Sequence, residues 1–280
     1  MNAPHWLEHW GLQQSPFATT AGVGTPYPSD ALEEAAARIE YLVAEGRRVG
    51  ALLGEPGEGK TTVLHATAAA GKRSALRGAA VAMVDAVALS PRELLWQAAS
   101  QLGAAPDPGD DTPRLWRRVE DRLCHLRWQG MPAVLLVDDA DAAGPDAERT
   151  LVRLAGLESA PDARWTIILA TRPARLAKLD DALLHRIDLR VDLFPWTEQD
   201  TAGFVQHALI DAGCLSPIFT DAALARLHTQ TEGLPRHVVR LADFALVAGA
   251  GAGQSQIGPE AIDAAFDELR WSPAPTADLV

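Results

Sequence analysis

The stretch Gly54-Glu55-Pro56-Gly57-Glu58-Gly59-Lys60-Thr61 matches the pattern GxxxxGK[ST] at every fixed position. Its chemistry is the capture of a phosphorylated ligand. Glycines let the backbone curl until several N–H groups point at one anion. Lys60 supplies a cation that reaches the outer phosphate oxygens, and Thr61 offers a hydroxyl to Mg²⁺. Thr62 completes the contact set, and the helix starting near Lys60 adds the positive partial charge of its N-terminus. Glu55 and Glu58 look contrary in an anion-binding loop. The expectation is that both side chains point outward and leave only their backbone facing the phosphate.

A second constellation is "AVLLVDDAD", an apolar run that delivers Asp138 and Asp139. A carboxylate at the end of a buried strand can hold Mg²⁺ through water, opposite the loop lysine. Asp138 fits that role, and Asp139 next to it can orient an attacking water. The alternative is that both merely terminate a strand. In "WTIILATRP", Thr171 or the adjacent Arg172 is placed to sense a γ-phosphate, unless Thr171 is an ordinary strand-end residue. "LLHRIDLRVDLFPW" carries Arg186 and Arg190. "GLPRHV" sets Arg236 at a helix start, where an arginine either folds over phosphates or is simply solvated.

These groups need elements to carry them. The runs "VGALLG", "AAVAMVDA", "AVLLV" and "WTIILAT" are apolar at nearly every position, which suits strands buried on both faces of a parallel sheet. Helical patterns alternate with them: "SDALEEAAARIEYLVAEG", an alanine-rich helix from the loop to Gly71, a helix after "SPRE", and one from about Arg114 to Trp128. Ser90, Pro91 and Glu93 spell an N-cap, a first helical residue and a capping box. From Pro195 onward helical patterns follow one another without a strand, with Thr197, Asp200 and Thr220 reading as caps. The expected organisation is an arm over 1–28, a three-layer α/β P-loop domain with a parallel sheet over 29–194, a small all-helical lid over 195–271 and a loose tail over 272–280.

Composition narrows the function classes. The chain has 280 residues, 48% of them apolar, so a sizeable core is feasible. With 25 Lys and Arg against 37 Asp and Glu the formal charge is −12, a poor balance for coating nucleic acid or an anionic membrane. Arg114, Arg117, Arg118, Arg122 and Arg127 cluster in one segment, but Glu120 and Asp121 interrupt them and the group reads as a solvated helix face. The eight tryptophans read as packing residues rather than a base-stacking platform. Cys124 and Cys214 have no partner pattern, no signal peptide opens the sequence and no run approaches a membrane span of ~18 apolar residues. The expectation is a cytoplasmic protein with no membrane insertion and nucleic acid unfavoured as a partner.

The order of these motifs resembles the AAA+ ATPases, and within them the general secretion pathway protein A (ExeA-like) group, which neighbours the transposition helper ATPases. The resemblance is carried by "HWGLQQSPF", "YPSDALEEAAARIEYL", "GEPGEGKTTVL", "LLVDDAD", "HRIDLRVDLFPW" and "EGLPRHVVRLADFAL". It implies ATP and Mg²⁺ as cofactors, Asp138 as the Mg²⁺-linked acid and Thr171 near sensor 1. It further implies Arg186 at the arginine-finger position, Arg236 at sensor 2, and the arm with Tyr27–Ile39 bordering the adenine. Asp139 departs from the group, which carries glutamate there. Long members of the group add a membrane helix and a cell-wall-binding region after the lid, so a secretion role is not carried over directly.

The leading expectation is a Mg²⁺-dependent ATPase that forms a homo-oligomer and acts as a switch on a protein partner. Two alternatives stand beside it. One is an ATP-dependent, DNA-bound helper of the transposition type. The other is a nucleotide-binding regulator with negligible turnover, which the shorter Asp139 supports.

Overall fold

The computed structural model describes residues 4–17, 27–70, 76–157, 160 and 162–269. The expected tail, Trp271 and part of the arm lie outside them. The chain divides into two compact units, Asp30–Phe194 and a second made of Met1–Ser29 with Pro195–Val280.

The strands are β1 (Val49–Leu53), β2 (Ala80–Asp85), β3 (Ala133–Asp138), β4 (Trp165–Thr171) and β5 (Ile187–Asp192). The helices begin with α1 (His5–Trp10), α2 (Asp30–Ala44), α3 (Lys60–Ala70), α4 (Pro91–Gln101), α5 (Thr112–Trp128) and α6 (Pro145–Ala155). Two single turns follow, α7 (Pro173–Leu176) and α8 (Asp181–Leu184). The last four are α9 (Glu198–Asp211), α10 (Asp221–Thr231), α11 (Pro235–Gly251) and α12 (Pro259–Leu269).

In the first unit the five strands form one parallel sheet in the order β2-β3-β4-β1-β5. Strands β1, β3 and β4 are buried at every residue, so both faces of the sheet must be covered. Alternation along β3 shows how. Val134 and Leu136 face a core shared with Ile39 and Leu42 of α2 and Leu64 of α3. Leu135 and Val137 face the opposite core, with Leu94 of α4, Leu115 of α5 and Leu151 of α6. Each such side chain contributes roughly 1.5–3 kcal/mol by leaving water. Three layers result, as the apolar runs require.

The sequence reading passed over β5. Its pattern explains why: Asp188, Arg190 and Asp192 alternate with Ile187, Leu189 and Val191, so one side stays polar. An edge strand beside β1 can carry that alternation, whereas the central strands cannot. Helix α6 was also missed, although Ala147, Leu151, Leu154 and Ala155 recur at helical spacing and are buried.

Local start signals hold. Ser90 accepts from the Glu93 N–H and the Glu93 carboxylate accepts from the Ser90 N–H, closing the capping box at α4. Thr197 and Asp200 do the same at α9, and Thr220 caps α10.

The second unit packs α9 to α12 around its own core. Leu7, Trp10, Leu12 and Phe17 of the arm are buried in that core with Val205, Leu227, Leu241 and Ile262. The arm is also tied by polar contacts: Trp10 Nε1 donates to Leu246 O at 2.8 Å and Gln13 N to Ala212 O at 2.8 Å. Tyr27 packs edge-on against Trp196, Phe204 and His207.

Candidate functional site

Parallel pairing brings the carboxyl ends of β1, β3 and β4 to one edge of the sheet, the edge where open α/β sheets bind ligands. The loop 54–59 leaves β1 there and runs into α3 at Lys60. Its first residue is tied to the end of β4, because Gly54 N donates to Thr171 O at 3.2 Å. Gly57 and Gly59 have φ of 100° and 98°, a region that strains any residue with a β-carbon. Lys60 is only 8% exposed, and its ammonium donates to Gly54 O at 2.8 Å and Glu55 O at 3.2 Å.

Thr61 and Asp138 meet across the sheet, the Thr61 hydroxyl donating to Asp138 Oδ2 at 2.6 Å. A hydroxyl beside a carboxylate is a hard-oxygen pair that fits Mg²⁺. Among the described residues no group of three or more His, Cys, Asp or Glu forms a metal cluster. A divalent ion held by Thr61 and Asp138 therefore needs phosphate or water oxygens for the rest of its shell.

Asp139 follows with φ 44° and ψ 45°, a left-handed conformation that aspartate tolerates better than most side chains. It opens the 3-10 turn Ala140–Ala142. Its carboxyl is pushed above the usual aspartate range, first by the surrounding protein and then by the Asp138 carboxylate. Asp85 and Asp141 add to that push while Lys60 opposes it. Asp85 reaches this edge because β2 pairs with β3 in a register that sets Asp85 against Asp138.

Glu55 is exposed, as expected, but Glu58 is not turned outward. Its carboxylate folds back into the loop and accepts from the Glu55 N–H at 2.6 Å. The correction has a physical cause: an exposed backbone N–H at the loop entrance is a nearer partner than solvent.

Arg172 is occupied by a residue the sequence reading overlooked. Its Nε and Nη2 donate to Asp141 Oδ2 at 2.9 and 2.6 Å, and the Asp141 side chain is 2% exposed. Burial pushes the Asp141 carboxyl up, but bonds from Arg172 and Thr171 outweigh it and hold the group below its ordinary range. The pair fastens the turn after β3 to the end of β4. The third aspartate of "DDAD" was its only sequence signal. Asp141→Asn is expected to lower the unfolding free energy by about 1–3 kcal/mol in a urea titration at neutral pH, since it weakens a charged, buried acceptor. The folded pKa is depressed, so this contribution is present above the unfolded aspartate pKa and fades as pH falls through the folded one. The difference between wild type and variant should therefore close in acid.

Arg186 is not gathered into this cluster. It precedes β5, whose Ile187 pairs with Val49 at the start of β1, while Asp192 pairs with Leu53 beside the loop. Five residues of strand, about 16 Å, separate the two ends. Arg190 pairs with Asp192 at 3.8 Å. Arg236 lies in the second unit, exposed on the first turn of α11. The glycine before it has a packing explanation. Gly233 has φ 67°, and a β-carbon there would come within 2.2 Å of Trp196 O.

The arginine cluster of α5 is largely spoken for. Arg118 bonds Ala105 O, Asp107 and Asp110, Arg122 donates to Leu102 O, and Arg127 pairs with Asp162. Arg114 and Arg117 remain exposed. Among the described residues no helix is long and apolar enough to cross a membrane.

Comparison with known proteins agrees with this geometry. Residues 43–179 match the AAA domain family. General secretion pathway protein A of Aeromonas hydrophila is 29% identical over 256 residues, a match that covers 90% of this chain and 46% of that protein. The chain thus spans about half the length of that relative. Among solved structures, Cdc6p from Pyrobaculum aerophilum aligns with a TM-score of 0.70 at 20% identity, covering 92% of this chain and 71% of the other. Drosophila ORC bound to DNA aligns with a TM-score of 0.73 at 16% identity, covering 97% and 67%. At these identities the two structures speak for the fold alone. With the phosphate loop, the strand-end aspartate and the parallel sheet in place, residues 43–179 match the AAA domain family, and the chain as a whole is similar to general secretion pathway protein A.

Proposed function

We propose that the protein binds ATP with Mg²⁺, hydrolyses it, and uses the cycle as an oligomeric switch on a protein partner. The observation that carries this reading is the meeting of Thr61 with Asp138 at 2.6 Å, next to a buried Lys60 and a strand-end Thr171. Gly54, Glu55, Pro56, Gly57, Glu58, Gly59, Lys60, Thr61 and Thr62 would cradle the phosphates, chiefly through backbone N–H groups. Thr61 and Asp138 would hold Mg²⁺, which when bound supplies positive charge against the phosphate oxygens. Lys60 would turn from the loop carbonyls to the outer phosphates, and Thr171 would read whether a γ-phosphate is there. Asp139 would orient the attacking water. Arg186 would complete a neighbouring subunit's site, and Arg236 would couple the phosphates to the helical unit acting as a lid.

Similarity to general secretion pathway protein A supports a secretion- or envelope-related role for that switch, with less than half of that relative represented here. A second reading, a nucleotide-binding regulator with negligible turnover, is favoured by one observation. Asp139 is a short side chain whose carboxyl is pushed above the ordinary aspartate range by its surroundings and by Asp138.

Lys60→Ala tests the nucleotide reading. Losing a charge-assisted bond to phosphate is expected to weaken ATP about 10–100-fold in a calorimetric titration. Unchanged affinity in a folded variant would sink the assignment of this loop.

A further inference from the structure

One peptide unit of the loop, the bond joining Gly54 to Glu55, is gripped from both sides by charged side chains of the same loop. Its carbonyl accepts from Lys60 Nζ at 2.8 Å, and its N–H donates to Glu58 Oε2 at 2.6 Å. The Glu58 carboxylate is packed in closely: a β-carbon on Gly54 would lie 2.9 Å from Oε2, with Lys60 Cγ and Leu193 Cβ at 3.2 and 3.3 Å. Gly54 is therefore glycine partly because Glu58 folds over it.

The two grips have different fates. Lys60 must leave the Gly54 carbonyl to serve a phosphate, whereas Glu58 can keep its hold on the N–H throughout. That hold keeps the loop entrance in place after the lysine has turned. The same carboxylate is a negative charge fixed inside an anion-binding loop. Its repulsion grows with the charge of the ligand and shrinks when a cation neutralises the phosphates.

Resting on the nucleotide reading above, we propose that Glu58 is a positioning residue that braces the Gly54–Glu55 peptide and sets a charge filter. The filter penalises metal-free ATP more than ADP and makes tight ATP binding conditional on Mg²⁺.

Two variants of the full chain separate the brace from the charge. Glu58→Gln keeps an oxygen that accepts the Glu55 N–H but removes the charge; Glu58→Ala removes both. Calorimetry with ATP and ADP, each with and without Mg²⁺, is the measurement. Glu58→Gln is expected to tighten metal-free ATP about 3–10-fold, and ADP less, so that the ATP-to-ADP affinity ratio rises and the gain shrinks when Mg²⁺ is added. Glu58→Ala is expected to bind both nucleotides about threefold or more weaker than Glu58→Gln, because the entrance N–H has lost its acceptor. A merely structural glutamate would not move the ATP-to-ADP ratio. A wild-type ratio in Glu58→Gln, or equal affinities in the Gln and Ala variants, overturns the inference. Wild-type protein that binds neither nucleotide overturns the nucleotide reading itself and this inference with it.

Discussion

Replacing Arg186 with alanine is expected to slow ATP turnover by about 10³–10⁵-fold while leaving nucleotide affinity almost unchanged. The size comes from the role: a guanidinium that meets charge developing on the γ-phosphoryl group acts in the transition state and not in binding. The position supports action between subunits. Arg186 stands at the opposite end of the β1–β5 pair from its own loop, with about 16 Å of strand between them. Nor is it held by an ordinary surface ion pair. Asp188 accepts from the N–H groups of Arg48 and Val49, Asp192 pairs with Arg190, and Arg186 itself donates to the Ala182 carbonyl. Among the described residues no carboxylate pairs with it. A mixing experiment decides the matter. Arg186→Ala and Lys60→Ala should each be nearly inactive alone. Together they should recover part of the activity, because one subunit binds ATP and the other supplies the arginine. Activity per wild-type subunit should also rise with protein concentration. A failure to recover on mixing, with turnover independent of concentration, leaves a monomeric site or a simple nucleotide switch.

The second large effect is at Asp139. Asp139→Asn is expected to retain ATP binding and lose hydrolysis by about 10²–10⁴-fold, since an amide cannot take the proton of an attacking water. Asparagine accepts the left-handed backbone at φ 44° as readily as aspartate, so the turn should survive the change. Asp139→Glu should match or exceed the native rate by extending the carboxylate one methylene toward the phosphates. The pH dependence carries the same prediction. A base must be ionised to work, and this carboxyl is pushed up by its surroundings and by Asp138. Turnover should therefore fall on acidification at a pH above the ordinary aspartate range. A turnover profile flat down to that range, or normal hydrolysis by the Asn variant, would move the base elsewhere and strengthen the regulator reading.

What was readable from the chain alone follows a physical line. The phosphate loop, the capping boxes and the fully buried strands depend on residues close in sequence. Gly57 and Gly59 are needed where φ is positive, Ser90 and Glu93 exchange bonds over one turn, and β3 and β4 are apolar throughout because both sheet faces are covered. Asp138 and Thr171 could be proposed for the same reason, as the polar residues that end such runs. β5 escaped because an edge strand keeps one polar side and so lacks that signal.

Sequence by itself therefore determined the fold class, the phosphate loop and the strand ends that surround it. Tertiary structure decided the rest, because it depends on which strands become neighbours and in what register. The order β2-β3-β4-β1-β5 sets β4 between the loop strand and the aspartate strand, within reach of both. Only that packing joins Thr61 to Asp138, over 77 residues of chain, and Asp141 to Arg172, over 31. Strand pairing alone puts Arg186 at the far end from its own loop. Even within the loop, the direction of Glu58 was settled by a free backbone N–H that residue types do not reveal until the chain has curled. Local hydrogen bonding and burial write themselves into composition and spacing, whereas contacts made by strand pairing leave no periodic trace in either.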